Sequence, residues 1–123
     1  MCFALRVVKL VEALPRSSTG RVFGDQLLRS DTSVAANYRA ARRGRSSKEF
    51  VAKLSIVTEE ADEATFWLEL IGRSGLVKSE LLADLQDEAW QLTKIFASTR
   101  KTASKRRPAP FQSLNHPIAK SPD

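Results

Sequence analysis

The sequence predicts an all-α protein, an up-down antiparallel four-helix bundle with a short first helix and a disordered or extended C-terminal tail. Apolar residues recur at helical spacing through four successive segments, no alternating strand pattern appears, and the links between segments are short. The length of 123 residues amounts to one domain, and 42% hydrophobic with 28% charged residues is a soluble globular mixture. We expect the bundle to span residues 1–102 and the basic, proline-rich tail residues 103–123.

The first helix is short: Phe3, Val7, Leu10 and Leu14 share a face, and Pro15 blocks its continuation. Ser17, Ser18 and Thr19 offer N-cap oxygens to a second helix. Its inner face carries Phe23, Leu27, Ser30, Val34, Tyr38 and Ala41, and Gly44 is placed to cap it in the left-handed conformation. Ser46 followed by Glu49 reads as a capping box, each side chain satisfying a free backbone donor of the third helix. That helix has the cleanest period in the chain, Phe50, Leu54, Val57, Ala61, Ala64, Leu68 and Ile71, with Gly72 and Gly75 marking the turn. A fourth helix begins near Ser79 with the stripe Leu85, Ala89, Leu92, Phe96 and Thr99. The tail holds four of the five prolines and the cluster Lys105, Arg106 and Arg107, a composition that leaves little to bury. Phe111, Leu114 and Ile118 within it are candidates to dock on a partner.

Charge is segregated along the chain. Residues 1–48 carry a net +7, residues 49–90 a net −7 and residues 91–123 a net +6. Such blocks attract one another within or between subunits, and the basic surplus suits an anionic partner such as nucleic acid. On a helical wheel Arg21, Arg39, Arg42 and Arg43 fall within roughly 100° of one another, opposite the apolar stripe. Arg39, Arg42, Arg43, Arg45 and Lys48 thus gather five cations in one stretch without an acid. Guanidinium forks match phosphate oxygens, so this is the candidate nucleic-acid surface, with Lys105, Arg106 and Arg107 in support. The same cations also suit a solvated outer face or a pairing with the acidic third helix. Aromatic interleaving for base stacking is absent apart from Tyr38, which is expected to point inward.

The third helix carries more apolar surface than one stripe needs. Phe66 and Leu70 lie on the far side from Phe50, with Ile56 and Trp67 between them and the core edge. An outward apolar patch marks a homo-oligomer interface or a surface covered by the tail or first helix. Asn37 and Ser30 project from the core-facing stripe of the second helix. Glu60 is the candidate acceptor for Asn37 in a structural polar pair that fixes register.

No catalytic role is expected. His116 sits in the proline-rich tail without a nucleophile near it, and Cys2 is terminal with nothing around it to lower its thiol pKa. The carboxylates Glu59, Glu60, Asp62 and Glu63 lack the histidines a di-iron bundle requires, and no glycine-rich phosphate loop occurs. One cysteine and one histidine exclude an internal disulfide and a conventional Cys/His zinc site, so no metal or cofactor is expected. No run approaches the roughly 18 apolar residues of a membrane span, and the opening segment is a poor signal peptide. We therefore expect a cytoplasmic protein with neither a membrane nor a small-molecule substrate as partner.

The four helices, the central Asn37 and the segments 26-QLLRS-30, 33-SVAANY-38, 45-RSSKEF-50 and 59-EEADE-63 carry a resemblance. Over roughly residues 3–102 the chain resembles the bacterial four-helix-bundle proteins of the ribosomal RNA intervening-sequence, or S23, family. The resemblance implies homopentamers, rings of bundles around a central channel. Related accessory proteins of diversity-generating retroelements form basic pentamers that bind nucleic acid and a reverse transcriptase. This chain departs from the family in that only two residues precede Phe3. Either the start lies further upstream, or the first helix is truncated and exposes part of the groove between its neighbours. The alternative to a nucleic-acid-binding oligomer is a protein-interaction scaffold with no nucleic-acid role.

Overall fold

A computed structural model describes residues 2–105 as four helices, α1 (Cys2–Ala13), α2 (Ser18–Arg42), α3 (Ser47–Ser74) and α4 (Ser79–Lys105), with no strand among the described residues. Helix α4 therefore runs three residues past the expected boundary at 102, and the rest of the expected tail, residues 106–123, lies outside the described residues.

The local signals work much as the residue types dictate, with three exceptions. Ser17 caps α2 by accepting the Gly20 N–H at 3.0 Å, and Ser46 caps α3 by accepting the Glu49 N–H at 3.0 Å. The reciprocal half of the expected capping box is shifted by one residue: Glu49 Oε1 accepts from the Arg45 N–H at 2.7 Å, not from Ser46. Helix α2 ends on Arg43, whose N–H donates to the Ala40 carbonyl at 3.1 Å, and Gly44 is not used as a left-handed cap. Gly75 does take that conformation, at φ 75°, and closes α3. Gly72 lies inside the helix, where a Cβ would crowd Gln86 Nε2 at 3.1 Å and Leu82 Cδ1 at 3.2 Å of α4.

Helix α3 sits between α2 and α4, which meet each other through the rings of Tyr38 and Phe96, and α1 fills the opposite corner against α2 and, less extensively, α4. At 1.5 Å per residue α1 is about 18 Å long and α3 about 42 Å. Over the reach of α1 the bundle has four helices, and beyond it three. In the four-helix half Val7, Leu10, Leu14, Leu27, Ala64, Leu68, Ile71, Leu82, Leu85 and Ala89 form one continuous buried cluster. Leu54, Val57 and Ala41 are buried in the other half, where the expected stripes are incompletely covered. Tyr38 is 40% exposed against the expectation that it points inward, and Thr99 is exposed, because no fourth helix extends over them.

Register is set by the pairing of Phe23 with Trp67, ring centroids 5.8 Å apart, and by Arg29, which bridges Glu60 at 3.3 Å and Glu63. This overturns the expected Asn37–Glu60 pair. Asn37 lies eight residues beyond Arg29, about 12 Å along α2, and runs away from Glu60 because the helices are antiparallel. Its Nδ2 instead donates to the Ser33 carbonyl at 2.9 Å and Ser33 Oγ at 3.1 Å. Ser30 is buried as expected and satisfies itself on the carbonyls of Gln26 and Leu27.

Asp31 is the one charged side chain in the interior among the described residues, 1% exposed, and its Oδ2 has no hydrogen-bond partner. Burial pushes its carboxyl up to about 6, against the attraction of the chain's N-terminal charge.

Two outcomes follow from this packing. Leu68→Ala, in the closed half, is expected to lower unfolding free energy by about 2–5 kcal/mol in urea titrations, whereas Ile95→Ala, 56% exposed, changes it by less than about 0.5 kcal/mol. The fold disfavours ionised Asp31, so this group's contribution to stability is greatest below its unfolded pKa and is lost as pH rises through about 6. Asp31→Asn is therefore expected to stabilise the protein by on the order of 2 kcal/mol at pH 8, with the gain vanishing near pH 4. A gain independent of pH would show that the carboxylate is not the cause.

Candidate nucleic-acid interface

The turn joining α2 to α3 is held by three short-range bonds: Gly44 N–H to the Ala41 carbonyl at 3.0 Å, Arg45 N–H to Glu49, and Glu49 N–H to Ser46. A turn fixed in this way aims the side chains around it. Arg39, Arg42, Arg43, Arg45 and Lys48 are all exposed on or beside it, at one end of the bundle. Because α4 runs antiparallel to α3, its last turns reach the same end and add Lys101 and Lys105, both exposed, with Arg100 half-buried. Sequence reasoning found Lys105 but missed Arg100 and Lys101. The up-down topology was the signal that placed them there. Arg106 and Arg107 lie outside the described residues.

The geometry separates the two readings of the basic run. Three acids of α3 are engaged by other arginines: Arg29 bridges Glu60 and Glu63, and Arg73 bonds Glu69 at 3.0 Å, while Glu59 and Asp62 are exposed and in no ion pair among the described residues. Arg6 of α1 pairs with Glu88 of α4. Among the described residues, no ion pair involves Arg39, Arg42, Arg43, Arg45 or Lys48. Glu63 is held below the usual carboxylate range by hydrogen bonds from the Trp67 indole and from Arg29. Glu49, the acid nearest the basic turn, spends its carboxylate on a backbone N–H. The cations of this end are left to solvent or to an external anion.

Arg21, on the same wheel face, is not part of the group. It lies eighteen residues before Arg39, about 27 Å along α2, and donates to the Arg16 carbonyl at 3.1 Å. Tyr38 reaches the basic end half-exposed, its ring tilted on Phe96 with centroids 5.5 Å apart.

The outward apolar set of α3 divides. Phe66 is 51% and Ile56 38% exposed, while Leu70 is half-buried. Trp67 packs inward on Phe23, donates its indole N–H to Glu63 at 3.0 Å and meets Phe66 edge-on at 4.9 Å. It therefore props Phe66 outward. Leu81, Trp90 and Ile95 of α4 are also exposed, off the fourth helix's stripe.

Among the described residues no group of three His, Cys, Asp or Glu side chains is placed to hold a metal ion, and no helix is long and apolar enough to cross a membrane. His116 lies outside the described residues.

No curated protein matches the chain. It is similar to a solved structure from Bacteroides thetaiotaomicron, a protein of unknown function from the S23 ribosomal protein family. The two share 34% identity and a TM-score of 0.74, over 80% of this chain and 92% of that one. The model of the 23S rRNA-intervening sequence protein family matches residues 1–98. With four antiparallel helices and most of the chain inside that match, the protein belongs to the 23S rRNA-intervening sequence protein family.

Proposed function

We propose that this protein is a non-catalytic, cytoplasmic homo-oligomer that binds RNA or DNA electrostatically, with little sequence readout. The observation that carries the reading is the set of cations Arg39, Arg42, Arg43, Arg45 and Lys48, exposed around a fixed turn and in no ion pair among the described residues, while Glu60, Glu63 and Glu69 of α3 are engaged elsewhere. Phosphate neutralisation by such a set releases counterions, so affinity depends on salt. Lys101 and Lys105 extend the same surface, and Arg106 and Arg107 are assigned to it on sequence alone.

Self-association is supported by the exposed apolar surface of Phe66, which meets Trp67 edge-on, and of Ile56 on the same helix. Leu70 and Trp67 border that patch. Repeating the bundle in a ring, as the family resemblance implies, multiplies the basic end and raises affinity through several simultaneous contacts. The same apolar patch favours the alternative, a scaffold whose oligomer presents a surface to a protein partner.

With short duplex DNA or mixed-sequence RNA, the logarithm of affinity is expected to fall linearly with the logarithm of salt concentration. The double change Arg42→Glu/Arg43→Glu lowers the slope by about 2. A wild-type affinity that does not change with salt overturns the nucleic-acid reading and leaves the scaffold. Phe66→Asp is expected to give folded protein of lower mass by light scattering. An unchanged mass assigns the interface to other residues.

A further inference from the structure

The cations of the basic end come from two helices that are far apart in the chain. Arg39, Arg42 and Arg43 stand where α2 finishes, and Lys101 and Lys105 where α4 finishes, all of them exposed. Helix α3 starts between the two groups, with Lys48 exposed in its first turn and Glu49 spending its carboxylate on the Arg45 N–H. Helices in contact pack with their axes about 8–10 Å apart. Since α3 separates α2 from α4, and Tyr38 of α2 still reaches Phe96 of α4, the two basic helix ends stand roughly 10–15 Å apart.

Two groups of cations at that separation suit two rows of phosphates. The major groove of B-form DNA is about 12 Å wide, and an A-form RNA helix presents a wide minor groove. A duplex laid across this end meets the α2 group with one strand and the α4 group with the other. We infer that the anionic partner of this end is double-stranded nucleic acid, held astride a groove by Arg39, Arg42 and Arg43 on one side and by Lys101 and Lys105 on the other. The inference rests on the nucleic-acid reading above and narrows its partner to one form.

The physical reason is preorganisation. The turn between α2 and α3 is bonded at three points and α3 packs on both neighbours, so the spacing of the two cation groups is fixed before anything binds. A duplex carries its phosphates in equally fixed rows, and little freedom is lost on either side. A single strand of the same charge must be ordered to reach both groups, at a cost in conformational entropy. Proteins that hold single strands offset this cost by stacking bases on aromatic rings. Tyr38, the most exposed ring near this end among the described residues, already leans on Phe96. Contacts made to phosphates on both strands carry no base readout.

The test measures binding of the full chain, by fluorescence anisotropy near physiological salt, to a duplex of about 16 base pairs in DNA and in RNA form. Mixed-sequence single strands of about twice that length match the number of phosphates. In at least one of the two sugars the duplex is expected to bind about fivefold or more tightly than the single strand. Lys101→Gln/Lys105→Gln removes one of the two groups at exposed positions, and circular dichroism checks that the variant is folded. It is expected to bring the duplex down to the affinity of the single strand, whose own binding falls by less than about twofold. Single strands bound as tightly as duplexes, or a duplex preference that persists in the variant, overturns the inference, while a salt-dependent affinity in the same data leaves the nucleic-acid reading standing. Failure of both forms to bind overturns the two together.

Discussion

The difference in length between α1 and α3 governs the rest of the molecule. Twelve residues of helix cannot cover a neighbour of twenty-eight, so the bundle is closed over about half its length and open over the remainder. The closed half holds the continuous core, with Val7, Leu10 and Leu14 of α1 reaching down to Leu27, Leu68, Ile71 and Leu85. Each fully buried leucine there contributes on the order of 2 kcal/mol through removal of apolar surface from water. The open half leaves exposed what a longer fourth helix would cover, Tyr38 against Phe96, and ends in the basic turn. Stability and exposed chemistry are thereby assigned to opposite ends of the same four helices.

Electrostatics follow the same division. The acidic stretch of α3 lies alongside α2 at the level of Arg29, so two of its carboxylates, Glu60 and Glu63, are met in the middle of the bundle. The pairs are substantially exposed and contribute little energy, yet with Phe23 against Trp67 they fix which residues of α2 and α3 face each other. Once that register is set, every cation from Arg39 to Lys48 lies beyond the reach of the acids at 59–63. Segregated charge in the chain becomes partial neutralisation in the middle and a basic end that is not neutralised.

Helix periodicity made most of the fold legible in the sequence. The stripe from Leu54 to Ile71 is buried throughout, Ser17 and Ser46 cap the helices they were expected to cap, and Gly75 lies in the turn it was expected to mark. Errors arose where a local pattern needed partner information. Gly72 looks like a stop but serves close approach to α4, and Asn37 was paired with Glu60 because both lie near core-facing stripes, without knowledge of the antiparallel register. Tyr38 was placed inside because a wheel has no end, whereas α1 does. Of the candidate site, the five cations at 39–48 were legible from their run, and Lys101 followed only from topology. Asp31 was missed altogether: one acid beside buried Ser30 carries no pattern, and its meaning lies in the missing partner.

Like charges crowded at one end repel, and the bundle offsets this without acids. Helices α2 and α4 both finish there, and the free carbonyls at a helix C-terminus carry partial negative charge that favours cations within the last turn. Arg39 and Arg42 stand in the last turn of α2 and Lys105 in that of α4. Only α3 brings an N-terminus to this end, and Glu49 in its first turn answers that positive end while binding the Arg45 N–H. Helix C-termini thus favour Arg39, Arg42 and Lys105 by a diffuse field worth about 0.3–1 kcal/mol each, in place of an ion pair. A cation held by a carboxylate must break that bond to take a phosphate, whereas one held by a helix terminus keeps its hydrogen-bond donors free. The arrangement of chain directions, two C-termini against one N-terminus, is therefore what allows the basic end to be both stable and available.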